Sequence, residues 1–240
     1  MKKKILTLAA VTALFVTAAS AQEKGKLNPG GIYIKGGYNS ANISTKSDGS
    51  VHDSRSLGTF HAGVIADLPI ADIFSFQTGL LLNGKGAKAD YYADPNNQSD
   101  NYVKTRFNPL YLELPANFLV KFPIGNDLRI YAGAGPYVAM GIGGKSKAEI
   151  SVLGEKTTTS ESIKFNNDDP TTGEQEGARF DRLKRFDVGL NALAGVETNR
   201  LMLGLNYGWG LTKINSTQTN NSDDKNKYRT LSLSLGVRLL

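Results

Sequence analysis

Along residues 186–211 the side chains alternate in twos. Phe186, Val188, Leu190, Ala192, Ala194 and Val196 are apolar, while Asp187, Gly189, Asn191, Leu193, Gly195 and Glu197 between them are mostly polar or small. After Thr198, Asn199 and Arg200 the pattern resumes, with Leu201, Leu203, Leu205, Tyr207, Trp209 and Leu211 set against Met202, Gly204, Asn206, Gly208, Gly210 and Thr212. Successive residues of a strand face opposite ways, so the spacing predicts a hairpin with one greasy face and one polar or glycine-rich face. A soluble sandwich alternates as well, but it keeps bulk inside and charge outside. Here the polar face is small and the apolar face continuous, the pattern of a strand with lipid outside and a crowded polar lumen inside.

The same period recurs over 32–43, 57–67, 74–85, 103–122, 128–143 and 228–240, which with the hairpin makes eight strands. Short turns at 68–72, 123–127 and 198–200 alternate with long polar connections at 44–56, 89–102, 144–180 and 213–227. An even strand count and this alternation predict an all-β fold: an eight-stranded, antiparallel, up-and-down transmembrane β-barrel with long extracellular loops, its termini and short turns on the periplasmic side. Inverting the faces gives a soluble eight-stranded barrel of the lipocalin kind, with leucines lining a ligand cavity and Glu113, Lys121, Asp187 and Glu197 in water. Aromatic placement favours the membrane. Tyr207, Trp209, Phe186, Phe107 and Tyr228 fall near the expected outer ends and Phe74, Phe76, Phe118 and Phe122 near the inner ones, as two interfacial girdles require.

In hydrocarbon every backbone donor and acceptor needs a partner within the protein, so the sheet must close. Pro115 and Pro136 each remove a donor from neighbouring strands and predict bulges or local kinks. A bore of this size is filled by side chains. Lys35, Glu113, Lys121, Arg129, Asp187, Glu197 and Arg238 are therefore expected to pair in a packed lumen, which is not a pore.

Composition refines the compartment. Lys2, Lys3 and Lys4 precede an apolar run from Ile5 to Ala19, and Ala19-Ser20-Ala21 reads as a small-x-small cleavage site, so residues 1–21 are expected to be a secretory signal peptide. Residues 22–30 follow as a short periplasmic segment and 31–240 as the barrel domain, with 144–180 a long extracellular insertion. Losing three lysines and no acids lowers the formal charge from +6 to +3, and the remaining basic residues are scattered among acids, which argues against nucleic acid as a partner. The chain has no cysteine, which excludes disulfides and thiolate metal sites.

At Asn108-Pro109-Leu110-Tyr111-Leu112-Glu113-Leu114-Pro115, and again at Tyr131-Ala132-Gly133-Ala134-Gly135-Pro136-Tyr137, the chain resembles the PorT-like outer-membrane β-barrel family. The resemblance runs on through 186–211 and the final strand, and so covers most of the mature chain. It implies an eight-stranded barrel in the outer membrane of a bacterium with two membranes and, through PorT, a tie to protein secretion. Function does not transfer with a barrel. The last residue, Leu240, departs from the terminal aromatic of many outer-membrane barrels.

Other motifs read better as structure than as chemistry. Residues 139–146 fit a relaxed phosphate-loop spacing, but the residues immediately after them look extended rather than helical. His52 and His61 are the chain's two histidines; His52, Asp53 and Ser54 lie together in the first long loop, and His61 should face the lumen. A base beside a hydroxyl would suit a lipid-modifying enzyme, yet nothing else converges on these residues by spacing. The stretches Asp94–Asp100 and Asn220–Asp224 are rich in oxygen ligands but lack the glycine and final glutamate of a calcium loop. No cofactor, metal or catalytic site is therefore expected. Ile150, Val152, Ile163 and Phe165 around Gly154 suggest a β-hairpin projecting beyond the membrane. The expected function is non-enzymatic: a monomeric structural, recognition or secretion-accessory barrel. Its partners would be outer-membrane lipid and lipopolysaccharide and, through the external loops, an envelope or secretion-system protein. A small porin-like channel is the alternative, and a lipid-modifying enzyme stands behind it.

Overall fold

The structure is a computed structural model and describes residues 30–44, 54–92, 101–125, 127–165, 182–214 and 226–239. The expected signal peptide, His52, Asp53 and both oxygen-rich stretches lie outside the described residues. The elements are β1 (Gly31–Ile43), β2 (Leu57–Pro69), β3 (Phe74–Gly84), β4 (Ala87–Tyr92), β5 (Tyr102–Pro123), β6 (Arg129–Val152), β7 (Glu155–Ser162), β8 (Lys164–Phe165), β9 (Arg182–Leu183), β10 (Phe186–Glu197), β11 (Leu201–Gly210) and β12 (Tyr228–Arg238). Antiparallel pairing runs β1, β2, β3, β5, β6, β10, β11, β12 and returns to β1, a closed ring of eight. β3 and β4 both pair with β5 and act as one strand interrupted at Lys85 and Gly86.

The faces fall as the alternation requires. Val188, Leu190, Leu203, Leu205, Leu231, Leu233 and Leu235 are exposed on the outside of the ring, while Glu113, Lys121, Asp187 and Glu197 are buried within it. A soluble carrier with these residues inverted is thereby excluded as the architecture. Phe74, Phe118 and Phe122 stand out at the end that holds the short turns, and Phe186, Tyr207 and Trp209 at the other, where Tyr207 and Trp209 meet edge to face at 5.3 Å. Phe107 and Tyr228 do not join that outer girdle. Both are buried inside, because the alternation that turns Leu110 and Leu231 outward turns Phe107 and Tyr228 in.

Two further expectations change. Neither proline makes a bulge. Pairing with β5 lapses opposite Pro115 and again opposite Pro136, and the register resumes unshifted on the far side. The register shift lies instead between Leu110 and Tyr111, where Ile142 of β6 is the extra residue. One extra residue reverses the alternation, so beyond it Lys145 and Lys147 oppose the outward Asn108 and Arg106. The sheet also extends farther than expected. β5 keeps its expected span and β6 runs on beside it past the ring, β4 and β7 flank them, and a four-stranded sheet projects beyond the barrel. Its β6–β7 hairpin is the projecting one expected around Gly154, whereas β4 and the continuation of β6 lie where 89–102 and 144–180 read as polar connections. Polar side chains hid β4 and the continuation of β6, since the apolar face that marks a strand in lipid is not required in water. The β6–β7 turn is tight, with Leu153 at φ 51° and Gly154 at φ 86°, both in the left-handed region that primed hairpin turns use.

Glycines on the lumen side make room for rings. A side-chain carbon on Gly204 would meet the Tyr131 hydroxyl, and one on Gly195 would meet the same ring. Gly204→Ala is expected to cost about 1–3 kcal/mol of unfolding free energy, the usual scale for overpacking. Tyr131→Phe in the same chain should recover most of that loss, because the obstructing atom is the hydroxyl; urea unfolding in detergent micelles measures both.

Candidate functional site

The chemistry of this chain is concentrated in the lumen. At the end holding the short turns, Lys121 Nζ pairs with Asp67 and, at 3.0 Å, with Glu197. Asp67 and Glu197 stand on β2 and β10, opposite sides of the ring, so Lys121 of β5 ties the barrel across its width. Arg129 Nε donates to Glu197 Oε1 at 2.9 Å and its Nη2 to Asn199 Oδ1 at 3.0 Å. Two cations face two carboxylates, and the cluster is formally neutral.

Towards the other mouth Lys85 is the hub of a second cluster. Its Nζ lies 2.8 Å from Asp187 Oδ2 and 3.1 Å from Glu113 Oε2, and 4.1 Å above the centre of the Tyr137 ring. The Tyr137 hydroxyl donates to Asp187 Oδ2 at 3.0 Å, and Thr212 donates to the other oxygen of the same carboxylate. Asn83 donates to Glu113 Oε2 at 2.8 Å and accepts from Asn39 at 2.8 Å. Asn39 Oδ1 in turn meets His61 Nδ1 at 2.7 Å; since the Asn39 amide nitrogen donates elsewhere, Nδ1 is the protonated nitrogen.

Between the clusters lies an apolar layer: Tyr33, Ile65, Leu81, Leu119, Tyr131, Leu193 and Met202, one residue from each of seven ring strands. Within it Gln77 of β3 reaches Met202 Sδ of the opposite strand β11 at 3.8 Å. Above the Lys85 cluster the hydroxyls of Tyr111 and Tyr228, again on opposite strands, are 3.3 Å apart. Phe165 of β8 packs edge-on against Tyr111 at 5.4 Å, and Ile163, Leu183 and Ile214 join the same buried cluster over the mouth.

Of the seven expected network residues, Glu113, Lys121, Arg129, Asp187 and Glu197 are buried and ion-paired. Lys35 is buried yet forms no ion pair among the described residues. Arg238 sits half-buried at the rim, with Nη1 3.5 Å from the Asn199 carbonyl oxygen. Sequence reasoning missed Lys85 and Asp67 as network members, although both share the inward phase of their strands, and it missed the tyrosines altogether. Among the described residues, the candidate chemistry elsewhere does not assemble. Residues 139–146 lie within strand β6, with no helix behind them. Ser54 donates to Asn42 Oδ1 at 2.7 Å, anchoring the first loop. His61 Nε2 has no hydrogen-bond partner among the described residues, so no hydroxyl stands ready for it to activate.

Stripping one partner from a buried charge cluster leaves the others uncompensated, at about 3–5 kcal/mol. Lys121→Met should therefore lower unfolding free energy by that amount. Adding Asp67→Asn, which removes one orphaned carboxylate, should restore part of it; urea titration with a gel-mobility readout of the folded barrel checks both.

Comparison with known proteins places this geometry. Solved structures that are similar in outline include Ail, the attachment invasion locus protein of Yersinia pestis, at 14% identity over 88% of this chain and 99% of that one, with a TM-score of 0.38. Neisserial surface protein A matches at 16% identity over 87% and 97% of the two chains, with a TM-score of 0.40. The N-terminal β-barrel domain of Pseudomonas aeruginosa OprF matches at 11% over 88% and 99%, with a TM-score of 0.30. At these values the likenesses say nothing about what the chain does. A search of curated proteins finds no match. The family model described as "Outer membrane protein beta-barrel domain" matches residues 20–216, most of the sequence. The closed ring of eight strands, with leucines outside and paired charges within, is thus that of an outer-membrane protein, and the chain belongs to the outer membrane protein beta-barrel domain family.

Proposed function

We propose that this protein is a non-enzymatic barrel with a structural and recognition role in the outer membrane, meeting a partner of the envelope or a secretion system through its projecting sheet. The observation that carries the reading is the bridged lumen. Lys121 joins carboxylates on opposite strands, Gln77 touches Met202 across the full width, and Tyr111 meets Tyr228. A bore crossed at three levels by side chains from facing strands supports a filled lumen rather than an open channel. That weighs against the porin-like alternative, and the lack of a hydroxyl partner for His61 Nε2 among the described residues weighs against a lipid-modifying enzyme.

Recognition then falls to what stands outside. The lumen-side face of the projecting sheet presents Tyr91, Val103 and Ile150 to water, and its tip carries Leu153, 84% exposed. Aromatic and aliphatic side chains held in water on a paired sheet are suited to contact with another protein. The PorT-like resemblance points the same way, toward a secretion accessory, and belongs to this proposal.

Planar-bilayer recording is the direct test. The purified protein is expected to give no steady openings, whereas reproducible ion-sized conductance would make it a small channel. In parallel, crosslinking in intact envelopes should yield an adduct that is lost when residues 146–178 are removed. Lipid-A modification or ester hydrolysis that disappears with His61→Gln would instead point to an enzyme.

A further inference from the structure

The outward face of the projecting sheet carries a row of cations. Pairing sets Arg55 opposite Lys88, Lys88 opposite Arg106, and Arg106 opposite Lys147. Directly opposed residues share a face, so four basic side chains stand abreast across the sheet. Lys145, opposite Asn108, lies one row nearer the membrane, and Lys104 one row farther out. The same face holds two acids in these rows, and both are engaged. Asp90 Oδ2 is 3.3 Å from Arg55. Glu149 accepts from the Tyr102 hydroxyl at 2.7 Å, and that bond, with Lys104, Lys156 and Arg106 nearby, holds its carboxyl below the usual range. Among the described residues Lys88, Arg106, Lys145 and Lys147 have no ion-pair partner. Like charges directly opposite one another repel, and the two acids, Asp90 and Glu149, stand one row farther out and offset the repulsion only in part.

The position of the row identifies what would offset it. On β5 the cations continue the phase of Leu110, Leu112 and Leu114, which face lipid; on β6 it is the extra residue Ile142 that turns Lys145 and Lys147 to the same side. Arg106 lies four residues beyond Leu110, which on a tilted strand is roughly 10 Å above the last lipid-facing leucine. From there long basic side chains reach down into the headgroup layer.

We propose that Lys88, Arg106 and Lys147, with Lys145 beneath them, form a binding surface for the phosphate groups of phosphorylated lipid in the outer leaflet. The surface faces the membrane plane around the barrel, whereas the face offered to a protein partner looks over the lumen. The proposal rests on the barrel's orientation in the membrane and not on the recognition role.

The test uses the mature protein in detergent, titrated with phosphorylated lipid A or with its dephosphorylated form, and native mass spectrometry to count retained lipid. Wild type should hold the phosphorylated lipid at least roughly tenfold more tightly than the variant with Lys88→Gln, Arg106→Gln and Lys147→Gln, with the difference shrinking as salt rises. Dephosphorylated lipid should not distinguish the two. A control with Lys164→Gln, Lys184→Gln and Lys227→Gln, cations of the same mouth but off this face, should behave as wild type. So should a charge-preserving variant, Arg106→Lys with Lys147→Arg. Equal retention by the first variant, or equal retention of the dephosphorylated lipid, would overturn the proposal. Displacement of the lipid by an equimolar soluble sulfated oligosaccharide would also overturn it, and would assign the row to a free polyanion.

Discussion

A peptide group in hydrocarbon has no water to bond, and this constraint organises the molecule. It demands that the sheet close, which it does through the pairing of the first and last ring strands, β1 with β12. Closure fixes which side of every strand meets lipid. The outer side must then be apolar. Within the membrane, whatever polar chemistry the chain retains is confined to the bore, and charges buried there need partners within reach.

The lumen answers that demand in layers. Each ion cluster contains its own countercharges, and the ring of apolar side chains between them keeps the two apart. On β10 the order is plain in one strand: Asp187 in one cluster, Leu193 in the apolar layer and Glu197 in the other. Burying an ion pair rarely adds much net stability, but a pair that spans the ring specifies which strands face one another. Lys121, reaching both β2 and β10, does this at one end, and Lys85, reaching β10 from the end of β3, does it near the other. Tyrosines complete the filling. Tyr131 and Tyr137 of β6 lie over Gly189 and Gly195 of β10 and Gly204 of β11, the next strands round the ring, and these glycines leave space for their rings.

How much of this was legible in the sequence depends on the range of each interaction. A period of two is local, so Leu203 outward and Glu113 inward could be read from neighbours alone. The same rule already placed Phe107 and Tyr228 inside, and treating them as girdle residues set position along the axis above parity. Partners across the bore are not local. Nothing in the spacing says that Lys85 should meet Asp187, 102 residues away, or that Lys35 should form no ion pair among the described residues. β5 was read over nearly its whole length, Lys104 and Arg106 included, but β4 and the continuation of β6 through Lys147 were missed for a different reason: strands in water need no greasy side. The position of the register shift depends on two strands at once and could not be read from either proline.

Closure holds only where oil requires it. Beyond the ring the sheet has two margins among the described residues, β4, bridged at Lys88 to Arg55, and β7, and an unpaired margin in water invites other strands to add on. Every residue of β7 is exposed, and its sequence, Glu155-Lys-Thr-Thr-Thr-Ser-Glu-Ser162, holds hydroxyls and charges with no hydrocarbon side chain beyond the threonine methyls. In a crowded outer leaflet where identical barrels stand side by side, such a border offers the backbone of a neighbour a place to pair but no oily strip to hold it. At this margin the protein raises a sheet above its membrane with little to seed stacks of itself.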